Sequence, residues 1–95
     1  MSKYALITGA SAGIGKEIAE VLAEKKYNLV LTARREDRLI DLVSELKQKY
    51  DISADYITSD LADRNAPQTL YDFCKSKNYD VEVLINNAGY GIADQ

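Results

Sequence analysis

Gly9, Gly13 and Gly15 fall within the seven residues GASAGIG, directly after the apolar, β-branched run 4–8 (YALIT) and before residues at helical spacing. A glycine-rich turn between a strand and a helix N-terminus lets an anion reach backbone N–H groups and the positive end of the helix dipole. A diphosphate suits that geometry. The spacing is GxxxGxG, which differs from the GxGxxG fingerprint of general dinucleotide sites. A P-loop fails too, because it needs Gly where Ala10 stands and a hydroxyl where Glu17 follows Lys16. Close packing of the helix on the strand would use the same glycines, and Lys16 reads as a solvated helix residue.

About twenty residues past that turn, a second apolar run ends in TARR, the distance at which dinucleotide folds read the adenosine ribose. An acid there would accept hydrogen bonds from a ribose 2′-hydroxyl and repel a 2′-phosphate. This chain instead has Ala33 followed by Arg34 and Arg35, whose guanidinium groups pair with phosphate through forked, charge-assisted hydrogen bonds. NADP is therefore favoured over NAD. The alternative is that both arginines are surface charges paired with Glu36 or Asp37. Asp60 could accept a hydrogen bond from an adenine amino group or cap the segment after it. Asn86 and Asn87 bring amide donors and acceptors to the end of another buried run, and Ala88 and Gly89 leave room for a flat group against the main chain.

The elements that must position these residues alternate in period. Runs 4–8, 28–33, 53–58 and 81–86 read as buried strands, the third the weakest. Between them, Ile14, Ile18, Val21 and Leu22 mark one helix stripe; from Glu36 onward Leu39, Leu42, Val43, Leu46 and Tyr50 mark a second. Leu70, Phe73, Cys74 and Lys77 mark the third, with Asn65 as cap and Pro67 in its first turn. The β-α-β-α-β-α-β order with short connections predicts an α/β fold: a parallel sheet, right-handed crossovers and helices on its faces. In such a sheet the ligand sits at the strands' carboxyl ends, where all the candidate residues fall.

Ninety-five residues make one small domain. A composition 46% hydrophobic and 28% charged, with one Pro, is that of a globular chain. The net charge of −3 and the lack of a basic block favour neither nucleic acid nor an anionic membrane as partner. The opening residues lack a signal-peptide pattern and no run is long enough to span a bilayer, so the expected location is cytoplasmic. The lone Cys74 reads as a small apolar residue on a buried helix face. With no His, the chain has neither the usual general base of a Ser/His/Asp site nor the commonest zinc ligand.

Taken together, TGASAGIG at 8–15, Asp60-Leu61 and NNAG at 86–89 resemble the short-chain dehydrogenase/reductase family, over essentially the whole chain. The resemblance implies a Rossmann-type three-layer fold and a hydride transfer between NADP(H) and a carbonyl or alcohol carbon. It implies a diphosphate contact for Gly9, Ser11, Gly13, Ile14 and Gly15, cofactor choice by Arg34 and Arg35, and adenine contact by Asp60 and Leu61. Asn87, Ala88 and Gly89 would lie along the ribose near the nicotinamide. Many NADP-preferring members carry a basic residue just before the second glycine; here it is Ala12, so the preference rests on the two arginines.

The family's catalytic Ser and YxxxK lie beyond NNAG. The YxxxK within this chain, Tyr71 to Lys75, precedes the fourth strand and reads as an ordinary helix pair. The expectation is a truncated cofactor-binding half, residues 1–95, with no catalytic residue and no activity alone. A dinucleotide-binding module without chemistry, or a structural fragment that binds nothing, are the alternatives. The family's strand order 3-2-1-4-5-6-7 would leave only 3-2-1-4, with 81–86 as an exposed edge through which the chain self-associates.

Overall fold

Strand β1 (Lys3–Thr8), buried from Tyr4 onward, holds an interior position in a four-stranded parallel sheet of order β3-β2-β1-β4. The computed structural model describes residues 3–10, 13–59 and 64–86. After β1 come α1 (Gly13–Glu24), β2 (Asn28–Ala33), α2 (Glu36–Lys49), β3 (Ala54–Thr58), α3 (Ala66–Ser76) and β4 (Asp80–Asn86). The chain steps from β1 to β2 to β3 in one direction, then crosses back to pair β4 with the other side of β1. Right-handed crossovers therefore put α1 and α2 on one face and α3 on the other. The core divides the same way: Ala5, Ile7, Leu29 and Leu31 pack with Leu39, Leu42 and Leu46 of α2, whereas Tyr4, Leu6 and Val30 pack with Leu70 and Cys74 of α3. The result is the three-layer Rossmann-type α/β arrangement, with strand order 3-2-1-4 and three helices.

Helix α2 begins at Glu36 and buries the expected Leu39, Leu42 and Leu46, with Val43 and Tyr50 packed at the margin. Helix α1 departs from expectation. Its buried residues are Gly15, Ala19 and Ala23, flanked by Ile18 and Leu22, while Ile14 and Val21 of the expected stripe are exposed. Small residues at a four-residue spacing let this helix approach the sheet closely, and the larger side chains stand to either side. Asn65 precedes α3 with Pro67 in the first turn, yet its side chain makes no capping bond.

In β4 the register slips: Tyr4 pairs with Val81 and Ala5 with Val83, leaving Glu82 as the extra residue. A bulge reverses the side-chain alternation beyond it. Val81 thus packs toward α3, and Val83 and Ile85 toward α1 and α2.

At the entrance to β4, the Tyr79 ring stacks on Tyr4 with centroids 4.1 Å apart, and its hydroxyl donates to Asp55 Oδ2 at 2.6 Å. Because Asp55 lies on β3, one side chain ties the two outer strands together across the α3 face. Burial, reinforced by the bond to Asp55, holds the Tyr79 phenol protonated well above its ordinary value. The folded state keeps this proton more tightly than the unfolded chain, so the contribution is complete below the unfolded value of about 10 and is lost as pH rises beyond it. In urea titrations at stepped pH, unfolding free energy should fall above about pH 10 more steeply for the unmodified chain than for Tyr79→Phe. Matching slopes would remove Tyr79 from the alkaline dependence.

Candidate functional site

Because the strands are parallel, Thr8, Ala33, Thr58 and Asn86 all finish at one edge of the sheet. The strand order reverses at β1, with the crossover from β1 to β2 on one face and the crossover that brings the chain into β4 on the other, so the crevice of the fold lies where β1 and β4 end. Gly9 follows β1 with φ +65°, a left-handed conformation that side chains resist. The next residue stays tied to the sheet, the Ala10 N–H donating to the Thr32 carbonyl at 3.2 Å. Gly13 opens α1 at φ +60°, and a Cβ placed there would meet no atom of the described residues within 4 Å, so its requirement is conformational. The first turn of α1 has no acid, so nothing on the helix itself opposes an anion at its positive end. Ile14, 66% exposed, stands beside the turn, and Gly15 faces the sheet.

Arg34 and Arg35 form the whole connection between β2 and α2, with Arg35 extended at the N-cap position. The two arginines differ in their surroundings. Arg35 donates from Nε at 3.3 Å and from Nη2 at 3.2 Å to the two carboxylate oxygens of Asp37, which lowers the Asp37 pKa from its ordinary value. The neighbouring acid, Glu36, is engaged elsewhere, accepting at 3.1 Å from the Tyr56 hydroxyl on β3. That bond raises the Tyr56 pKa, helped by burial and by the nearby acids. Among the described residues no hydrogen bond or ion pair engages the exposed Arg34. Of the surface pairs weighed for both arginines, Arg35 makes one with Asp37, and among the described residues Arg34 makes none.

At the crevice itself the Thr8 hydroxyl donates to Asn86 Oδ1 at 3.1 Å, with the Ile85 carbonyl 3.4 Å away. This bond joins the ends of β1 and β4 immediately before Asn87. Thr8 was not among the residues singled out from the sequence, which shows a hydroxyl before a glycine but not the asparagine that meets it 78 positions later. Thr32, its register neighbour on β2, is fully buried, and its hydroxyl has no partner among the described residues. Of the other expected contacts, Ser11, Asp60, Leu61, Asn87, Ala88 and Gly89 lie outside the described residues.

A groove of about 400 Å³ lies on the α3 face and reaches the ends of β1 and β4, between Leu6, Thr8, Leu84 and Asn86 of the sheet and Leu70 and Cys74 of the helix. It is mostly apolar, and burial raises the Cys74 thiol pKa. Tyr71 and Lys75 form a surface pair on α3, the Lys75 Nζ lying 5.6 Å from the Tyr71 ring centroid. No group of three His, Cys, Asp or Glu among the described residues is placed to hold a metal ion. No described helix is long and apolar enough to cross a membrane.

Strand order, crossovers and a glycine turn at the switch point define the Rossmann class of α/β protein. Within that class, the family model for short chain dehydrogenase matches residues 3–95, and the chain belongs to this family of oxidoreductases. It is 40% identical over 88 residues to very-long-chain 3-oxoacyl-CoA reductase of Candida glabrata, a match covering 90% of this chain and 24% of that protein. It is 38% identical over 95 residues to sulfoacetaldehyde reductase 2 of Chromohalobacter salexigens, covering all of this chain and 37% of the relative. Among solved structures, L-sorbose reductase of Gluconobacter frateurii, complexed with NADPH and L-sorbose, superposes with a TM-score of 0.89 at 34% identity, over 99% of this chain and 36% of that one. The chain thus spans roughly a quarter to two fifths of the length of these relatives.

The two threonines should respond oppositely to loss of the hydroxyl. Thr8→Val removes a made bond and should destabilise by about 1 kcal/mol, whereas Thr32→Val removes an orphaned buried hydroxyl and should be neutral or stabilising by about 1 kcal/mol. Urea unfolding midpoints of the two variants check this, and equal shifts would contradict the assignment.

Proposed function

We propose that this chain is the cofactor-holding part of an NADP-dependent oxidoreductase that interconverts carbonyl and alcohol groups, the remainder of the enzyme supplying the substrate pocket and catalytic residues. Gly9, Ser11, Gly13, Ile14 and Gly15 would hold the diphosphate, Arg34 and Arg35 the 2′-phosphate, Asp60 and Leu61 the adenine. Asn87, Ala88 and Gly89 would line the ribose and nicotinamide. The observation that carries the reading is the two-arginine link closing β2, with Arg34 exposed and lacking a described partner. The left-handed glycines at 9 and 13 and the acid-free first turn of α1 fit a diphosphate, and a structural neighbour is an NADPH complex.

When bound, the nicotinamide supplies or accepts the hydride. This chain's own residues bind and orient. The α1 N-terminus and the glycine turn would offer backbone donors, Arg34 would offer a charge-assisted fork, and Thr8 holds Asn86, the residue before Asn87. With the family's Ser and YxxxK lying beyond this segment, the chain by itself would bind cofactor and transfer no hydride. The compartment we assign is the cytoplasm, the reading supported by a sequence with no run long enough to span a bilayer.

Fluorescence titration should give tighter binding of NADPH than of NADH, and Arg34→Asp should weaken NADPH binding by about tenfold or more, roughly the loss of one charged hydrogen-bond pair. Equal affinities, or binding of neither dinucleotide, would overturn the cofactor assignment; turnover of a simple ketone by the chain alone would overturn its catalytic silence.

We also propose that this chain, taken alone, associates with a second copy through β4. Among the described residues the strand pairs only with β1, so its other side presents backbone donors and acceptors, and Leu84 on it is 64% exposed. Light scattering over a wide concentration range should show a dimer or larger species, and a monomer throughout would count against the edge contact.

A further inference from the structure

The first turn of α2 places two acids, Glu36 and Asp37, within three residues of the two arginines. Acids are favoured there by the positive end of the helix dipole. Beside a phosphate-binding cation, however, each would compete with the ligand. The structure partitions them. Glu36 accepts from Tyr56 on β3, and Asp37 occupies the Nε/Nη2 fork of Arg35, leaving Arg34 without a described partner.

We infer that Asp37 is a positioning residue for cofactor choice: by holding the Arg35 guanidinium it reserves 2′-phosphate recognition largely to Arg34 and limits the preference for NADP over NAD. This rests on the assignment of the two arginines to the 2′-phosphate. The Nε and Nη2 donors held by Asp37 form one of the two forks a guanidinium offers, so on that side carboxylate and phosphate compete for the same hydrogens. The pair is exposed on both sides, with side chains 62% and 67% accessible, which makes it weak enough for a ligand to displace. Asp37 therefore lowers the affinity for a 2′-phosphate without abolishing the contribution of Arg35.

The experiment is a double-mutant cycle read by fluorescence titration with NADPH and with NADH at low ionic strength. Asp37→Asn, exposed and close to isosteric, should tighten NADPH binding roughly 1.5- to 5-fold, the range set by an exposed ion pair, and leave NADH nearly unchanged. In an Arg35→Ala background the same substitution should lose most of that gain, because the residue it releases is gone. The gain should also shrink in high salt. An unchanged NADPH/NADH ratio in Asp37→Asn overturns the inference, as does a gain equally large without Arg35, which would mean direct repulsion of the phosphate by Asp37. Failure of the underlying cofactor reading looks different: the unmodified chain would then bind the two dinucleotides equally, or neither.

Discussion

Every feature of this molecule depends on β1 being hydrogen-bonded on both sides, to β2 along Tyr4–Thr8 and to β4 from Lys3 to Thr8. The strand that begins the chain becomes an interior strand only because the fourth strand returns to it. That reversal, combined with the single hand of parallel crossovers, sends α1 and α2 to one face and α3 to the other. A gap at the carboxyl end of β1 follows, since the helices beside it diverge. The glycine turn, the arginine link and the Thr8–Asn86 bond all sit around that gap, although they are far apart in the chain.

The two ends of the strands are specialised differently. At the amino ends on the α3 face, Tyr4, Tyr79, Asp55 and Cys74 form an aromatic and polar cluster that ties β4 to β3. A short, partly buried hydrogen bond to a carboxylate suits a structural tie, because burial makes its loss costly. At the carboxyl ends the charged contacts are exposed and weak, as in the Arg35–Asp37 pair. Under the proposed function, weak contacts suit a surface that exchanges protein partners for a charged ligand.

Much of this was legible in the sequence, for reasons that can be traced to particular residues. The α2 stripe of Leu39, Leu42 and Leu46 gave the right face because long aliphatic side chains carry most of the burial signal. The α1 stripe held at Ile18 and Leu22 but misled at Ile14 and Val21, which carry the same signal yet are exposed, and the buried contact surface is Gly15, Ala19 and Ala23. Small residues barely register in a hydrophobicity pattern, although they allow the closest approach. The bulge at Glu82 was likewise invisible, because alternation along one strand cannot show where its neighbour slips.

By itself the sequence determined the order of elements, the parallel α/β class, the strand-end positions of the chemistry-bearing residues and the family motifs, because each depends on local periodicity and on side-chain types at short spacing. Only the tertiary structure decided which partners those residues have. Thr8 meets Asn86, Tyr79 meets Asp55 and Tyr56 meets Glu36, over separations of 78, 24 and 20 positions. It also decided that two adjacent arginines are unequal, one held by Asp37 and the other without a described partner. A one-dimensional pattern records what each residue can bond to, but the choice among partners is made by distance and direction, which exist only after the strands have paired.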